Sequence, residues 1–392
     1  MSLSDLPLSY CTNVHPGLSV AELEGGLDRY TLNVRREWGG KLAAGLWLAE
    51  PVVREILSSS DGPRRFADGL ARRDLPCYTL NAFPYGNFHA QRVKEQVYLP
   101  DWSDPKRLQY TQDCVRILAE LLPAGAEGSI STVPLGFKAL LQRREDLVKC
   151  VEQIIECAMS LDRLRFETGK VIRLAIEPEP LCVLETTTEA IDFFESIYHT
   201  ADKLGFSTIV RRHIGLCYDV CHQAVEFEDI PDSIRRLDKA GVRINKVHVS
   251  CAIQVDRPTE DPAAREALRK YIEPRYLHQT LARSSDGKIA RAVDLNDELL
   301  DNPPSEFATA PVWRVHFHVP VDAERLGPLG TTRAALGEAL SAVAKLDYAP
   351  HLEVETYTWE VLPGAEKADL VGGLARELRS ADELLKSIAA QA

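Results

Sequence analysis

Along almost its whole length this chain alternates short apolar runs with longer amphipathic stretches, and few folds accommodate that order. Runs of strand length and character lie at residues 8–13, 44–48, 77–83, 129–133, 171–177, 215–220, 245–251, 313–319 and 352–357. Between many of them, residues 20–37, 112–122, 136–166, 188–204, 230–240, 263–272 and 333–345 carry apolar side chains at helical spacing. A strand followed by a helix and then another strand cannot be a hairpin. The helix carries the chain back, so the next strand pairs in parallel and the sheet is covered by helices.

Eight such units close into a (β/α)8 TIM barrel of the α/β class, and 392 residues suit one barrel carrying an insertion. Nine strand candidates are one too many for the barrel. The surplus is assigned to a long polar insertion at residues 252–311, within a single domain spanning 1–392. A doubly wound open sheet is the alternative. It would normally show a glycine-rich phosphate loop after its first strand, and Asn13-Val14-His15-Pro16-Gly17 is not one. No Pro/Gly/Ser-rich stretch marks a linker, and no repeat is evident.

Catalytic groups of such barrels lie at the C-terminal ends of the strands, and there this sequence concentrates acids and imidazoles. Ala175-Ile176-Glu177-Pro178-Glu179 runs a buried strand into two acids, and Tyr218-Asp219-Val220-Cys221-His222 places an acid and a histidine three residues apart. Lys246-Val247-His248-Val249-Ser250 sets a histidine in a β-branched run, and Leu352-Glu353-Val354-Glu355-Thr356 ends in two more acids. Along a strand, Glu177 shares a face with Glu179, and Glu353 with Glu355. An inward carboxylate costs roughly several kcal/mol unless a cation or hydrogen bonds compensate it. Four such strand ends together therefore point to one divalent metal (Mn, Co, Zn or Mg) held by mixed carboxylate and imidazole ligands. Glu177, Asp219, His248 and Glu355 are the expected ligands, with Glu179 and Glu353 as the alternatives within each acid pair.

Glu177-Pro178, the step from Asp219 to His222, His248-Val249-Ser250 and Glu355-Thr356-Tyr357 resemble the motifs of xylose-isomerase-like TIM barrels, the sugar isomerases and epimerases. The resemblance spans most of the chain. It implies that Glu177, Asp219, His248 and Glu355 bind one divalent metal, that Glu177 and Glu355 also exchange the substrate proton, and that His222 lies near the substrate. In that family a further Glu follows six residues after the first strand-end Glu; Glu185 stands eight after Glu177 and six after Glu179. Residues 10–17, 81–86, 315–320 and 353–359 look closer still to the EboE family of the Ebo "metabolite traffic" group. That likeness implies a small metabolite, with cyclitols among the candidates.

Other polar residues are candidates for shaping a pocket. Asn81, Tyr85, His89 and Lys94 follow the third strand, His15 follows the first, and Lys94 is either a phosphate contact or an ordinary solvated charge. Trp102 and Trp359 either stack on a sugar or belong to the core. His316 and His318 share a face and would join the site if their segment were a barrel strand. The expected substrate-side set is thus His222, Glu179, Glu185, Asn81, His15, His316 and His318.

With 46 basic and 58 acidic residues, the formal charge of −12 disfavours nucleic acid as a partner. That weighs against a phosphodiester hydrolase, the main enzymatic alternative; a metabolite-binding protein without turnover is the other. No apolar run reaches bilayer length, no leader peptide is evident, and nine scattered cysteines without a CxxC suit reduced thiols, so a cytoplasmic location is expected. The expected partner is a small polyhydroxylated molecule.

Overall fold

The computed structural model describes residue 3, residues 6–365 and residues 369–391. Its strands are β1 (Leu8–Cys11), β2 (Leu42–Trp47), β3 (Cys77–Asn81), β4 (Gly128–Thr132), β5 (Ile172–Ile176), β6 (Ile214–Asp219), β7 (Ile244–Val249), β8 (Cys251–Asp256), β9 (Thr280–Arg283), β10 (Ile289–Ala292), β11 (Val312–Val319), β12 (Arg325–Leu326), β13 (Leu329–Thr331) and β14 (His351–Val354). β1 to β7 and β14 close an eight-stranded barrel, every pair parallel, with β14 between β7 and β1. The chain is therefore a (β/α)8 TIM barrel.

The ninth apolar segment lies outside the barrel. β11 pairs antiparallel with β8 and β9 in a second sheet of order β10-β9-β11-β8-β13-β12. That sheet runs from Cys251 to Thr331. It starts one residue after β7 ends, so it stands over the C-terminal mouth of the barrel, where the strand-end acids emerge.

Helices wrap the barrel as the periodicity requires, with local signals setting their ends. Thr186 and Glu189 form a capping box at the start of Thr187–Leu204, and Gly205 closes that helix at φ 79°, a left-handed conformation that glycine adopts without strain. Two expected helices differ. The stretch 136–166 becomes helical only at Arg144, because Leu135 sits at φ 65° and Phe137 bridges to Cys182, which draws residues 136–143 into a loop. The stretch 20–37 is helical throughout but widens into a π-helical turn at Leu27–Thr31. Periodicity also missed the last helix, Leu370–Ala389. Its buried Glu377 accepts from Val321 N, Thr356 Oγ1 and Trp359 Nε1, tying the segment after β14 to the second sheet. All nine cysteines are buried and unpaired, and no described helix is long and apolar enough to cross a membrane.

The barrel interior is polar. Thr79 and Ser129 hydroxyls meet at 2.9 Å, and Ser129 Oγ lies 2.8 Å from His351 Nδ1. Lys246 Nζ pairs with Glu353 Oε1 at 2.7 Å, both side chains wholly buried, and donates to Ser131 Oγ at 3.2 Å. Gly45 makes room, since a Cβ there would collide with Glu353 Oε2. Breaking a buried ion pair from one side strands the other charge. Lys246→Met is expected to lower unfolding free energy by about 3–5 kcal/mol. Lys246→Met with Glu353→Met should recover most of that loss, read by chemical denaturation.

Candidate metal centre and pocket

The four expected ligands converge. Their donor atoms all lie within 4.8 Å of one another, and all four side chains are buried. Glu177 follows β5, Asp219 ends β6, His248 lies in β7 and Glu355 follows β14, so parallel pairing brings four distant segments to one point. His248 is the hub. Its Nδ1 is 2.9 Å from Glu177 Oε1, 3.1 Å from Glu355 Oε2 and 3.4 Å from Asp219 Oδ2.

Neighbours fix each group. Asn13 Nδ2 and Asn81 Nδ2 donate to Glu355 Oε1 at 3.0 and 2.9 Å. Ser250 Oγ and the His222 amide donate to Asp219 Oδ1 at 2.8 and 3.0 Å, so Asp219 also caps the helix Val220–Val225. This leaves Glu177 Oε2 and Asp219 Oδ2 buried with no hydrogen-bond partner among the described residues.

Electrostatics agree with that geometry. Burial and the neighbouring acids push Glu177 up to about 7, although His248 opposes the rise. Burial also acts to raise Asp219, but His222, His318 and His248 together hold it well below the usual carboxylate range. His248 is driven well above the ordinary imidazole value: burial acts against this, and Cys217, Glu177 and Glu355 overcome it. Three carboxylates around one imidazole leave net negative charge in a buried site. Unpartnered carboxylate oxygens in such a place suit a divalent cation.

Beside this cluster lies a second group of imidazoles. His222 Nδ1 donates to Pro178 O at 3.0 Å and His318 Nδ1 to Glu355 O at 2.7 Å, so each Nε2 turns away from its carbonyl. Those two Nε2 atoms face each other at 3.4 Å. His316 Nδ1 is held by Gln279 Oε1 at 2.7 Å, and its Nε2 is buried without a partner among the described residues. Burial pulls His222 down to about 4 and His316 well below the imidazole norm, which favours the neutral form of each ring. Asp219, His222 and His318 offer donor atoms within 4.8 Å of one another, and Glu179, His222 and His316 form a neighbouring trio. β11 is no barrel strand, yet it delivers both its histidines to the barrel mouth from above.

The acid pairs separate by environment. Glu177 joins the four-residue cluster. Glu179 lies past the end of β5, where strand alternation no longer applies, and accepts from Tyr98 Oη at 2.7 Å. Glu355 joins the cluster, while Glu353 points into the barrel toward Lys246.

The pocket over the cluster is lined on its polar side by Asn13, Asn81, Glu177, Glu179, His222, His316 and Glu355, and on its apolar side by Phe83, Phe88, Val97, Tyr276 and Tyr357. Three residues of the expected substrate-side set do not line it: His318, whose Nδ1 donates to Glu355 O, His15 and Glu185. His15 packs on Tyr30 with ring centres 4.5 Å apart, behind the pocket wall, and burial lowers it to about 3. Glu185 turns away to accept from Leu181 N and pair with Lys138. Lys94 touches the pocket, but its Nζ is taken by Glu273 O, Tyr276 O and Asp294, which makes it a structural clamp. His89 braces Asn13 O at 2.9 Å, and Tyr85 packs edge-on to Tyr110. Trp102 is fully buried and bonds Thr132, and Trp359 bonds Glu377; both serve the core. Asn13, Tyr98, Gln279 and Ser250 were missed. Only Ser250, close behind His248, carried a local signal.

One solved structure shares this fold, and others align with it over most of their length. A xylose isomerase-like TIM barrel protein from Mycobacterium smegmatis, in complex with magnesium, aligns over 99% of both chains with a TM-score of 0.53 and 13% identity. The IolI protein with a bound zinc atom aligns over 98% of this chain and 99% of its own, with a TM-score of 0.49 and 12% identity. D-allulose 3-epimerase from a Methylomonas species, in complex with D-allulose, aligns over 98% and 96%, with a TM-score of 0.43 and 12% identity. No protein-family model matches the chain, and no curated protein sequence matches it significantly. At 13% identity the likeness to the first of these is one of fold.

If the cluster takes a divalent cation, binding stabilises the native state by mass action. Mn²⁺ or Co²⁺ at ~100 times its dissociation constant should add about 2.7 kcal/mol. The expected rise in melting temperature is abolished by Asp219→Asn and reversed by chelator.

Proposed function

We propose that this protein is a metal-dependent isomerase or epimerase acting on a small polyhydroxylated carbonyl compound, a sugar or cyclitol ketone, by proton transfer at the carbon next to the carbonyl. The observation that carries this reading is the pair of carboxylates, Glu177 and Glu355, approaching the same imidazole from different strands at the floor of one pocket. A divalent cation held by Glu177, Asp219, His248 and Glu355 would supply Lewis-acid stabilisation of the negative charge that builds on the substrate oxygens as the proton leaves.

The protein's own groups account for the rest. Asn13 and Asn81 fix one oxygen of Glu355 and so orient the other. Glu177 keeps an unbonded oxygen in the site. One of these carboxylates removes the proton and the other returns it. His222, His316 and Glu179 hold substrate hydroxyls, while the aromatic side of the pocket limits water entry. The likeness of several segments to the EboE group agrees with a small metabolite as substrate.

The test is incorporation of solvent deuterium into a panel of ketoses and cyclitol ketones by the metal-loaded protein. Wild type is expected to exchange at least one of them. Glu177→Gln and Glu355→Gln, each losing a proton-transfer group, should fall by about 10²–10⁴-fold. Stoichiometric retention of a ligand without exchange would instead favour a binding protein.

A specific observation favours a second cation position. With the Nδ1 of His222 and of His318 each donating to a carbonyl, the two Nε2 atoms, 3.4 Å apart, and Asp219 Oδ2, 4.0 Å from His318 Nε2, make up a candidate cation donor set. Metal analysis after loading with Zn²⁺ or Co²⁺ should then give two ions per chain, falling to one in His318→Ala. One ion in wild type would leave these imidazoles to the substrate.

A further inference from the structure

We infer that Glu353, held by Lys246, is a positioning residue for His248: it accepts from the far side of the ring and thereby turns Nδ1 toward the carboxylate cluster. This rests on the metal-binding reading above and adds to it a buried support beneath the site.

Three observations carry it. First, Glu353 and His248 are direct register partners on the paired strands β14 and β7, so both side chains point into the barrel at one level. Second, His248 Nδ1 is turned to Glu177, Asp219 and Glu355, and its Nε2, which makes no hydrogen bond among the described residues, lies 3.5 Å from Glu353 Oε1, within a small side-chain adjustment of one. A ring whose Nδ1 donates its lone pair to a cation carries its proton on Nε2, and that proton needs an acceptor. Third, each oxygen of Glu353 has a neighbour that holds it in place. Lys246 Nζ pairs with Oε1 at 2.7 Å, Ser9 Oγ donates to Oε2 at 3.4 Å, and Gly45 leaves the space that Oε2 occupies. A wholly buried Lys–Glu pair is a costly way to fill a barrel interior, and apolar side chains of similar size would serve stability as well or better.

Lys246 also explains why the two acids of β14 and its extension differ in role. Its ammonium occupies Glu353 from below, so Glu353 acts as an acceptor for His248 while Glu355, two residues on, is left facing the pocket. Lys246 and His248 are likewise two residues apart on β7 and share its inward face. One strand thus supplies the cation that anchors Glu353 and the imidazole that Glu353 orients.

The test compares two double variants that both remove the buried charges. Lys246→Met with Glu353→Gln keeps an oxygen acceptor beneath His248, whereas Lys246→Met with Glu353→Met removes it at similar volume. Co²⁺ affinity is measured by calorimetry, and the visible absorption of bound Co²⁺ reports the ligand field, on protein shown to be folded by circular dichroism. The methionine double variant is expected to bind Co²⁺ about 10–100-fold more weakly than the glutamine one, with an altered Co²⁺ spectrum. The glutamine variant should stay close to wild type. Equal affinities and spectra in the two would overturn the role of Glu353 while leaving the metal site standing. A wild-type protein that binds no Co²⁺ would overturn both.

Discussion

The structure turns on one constraint: charge placed where water cannot reach it must be balanced by other charge or by hydrogen bonds. Glu177, Asp219 and Glu355 are buried together at the barrel mouth, with His248 between them. Below lies the pair Lys246–Glu353, and above lie three imidazoles with their Nδ1 atoms committed to fixed acceptors. Hydroxyls, asparagines and backbone amides take up most of the remaining polar atoms. The oxygens left over point into one place, and the chemistry proposed for the protein follows from that surplus of negative charge.

The second sheet is part of the same solution. It leaves the barrel directly after β7, the strand that carries His248, and β11 returns two histidines over the site. Through Gln279 it also reaches His316, Tyr98 and Glu179, so the pocket wall and the imidazole group are braced by one hydrogen-bonded set. Glu377, from the last helix, ties Thr356 and Trp359 after β14 to Val321 of this region. The parts of the chain added to the barrel therefore hold the site in shape from outside it.

Much of this was legible in the order of residues. The alternation of apolar runs with helical periodicity required a parallel sheet with helices between its strands, because hydrophobic spacing reports which faces must be buried. The four acids and imidazoles stood out because they end strands, and parallel pairing in a barrel puts all strand ends on one rim. The choice between Glu177 and Glu179, or between Glu353 and Glu355, was not legible. Alternation gives both members of each pair the same face, and it ceases to hold once the strand ends at Ile176. The misplacement of His15 and Glu185 has the same origin: position after a strand does not say whether a side chain turns toward the pocket or behind its wall.

The sequence by itself thus determined the barrel and the four strand ends that converge, with Asp219 and His248 named outright and each glutamate only as one of a pair, since these follow from periodicity and strand ends. Only the tertiary structure decided that Val312–Val319 stands outside the barrel yet feeds its mouth, that Lys246 draws Glu353 downward, and that His222 and His318 face each other. Those facts depend on contacts between segments far apart in the chain. In folded protein such contacts are selected by the balance of buried charge, a quantity that no local pattern of residues contains.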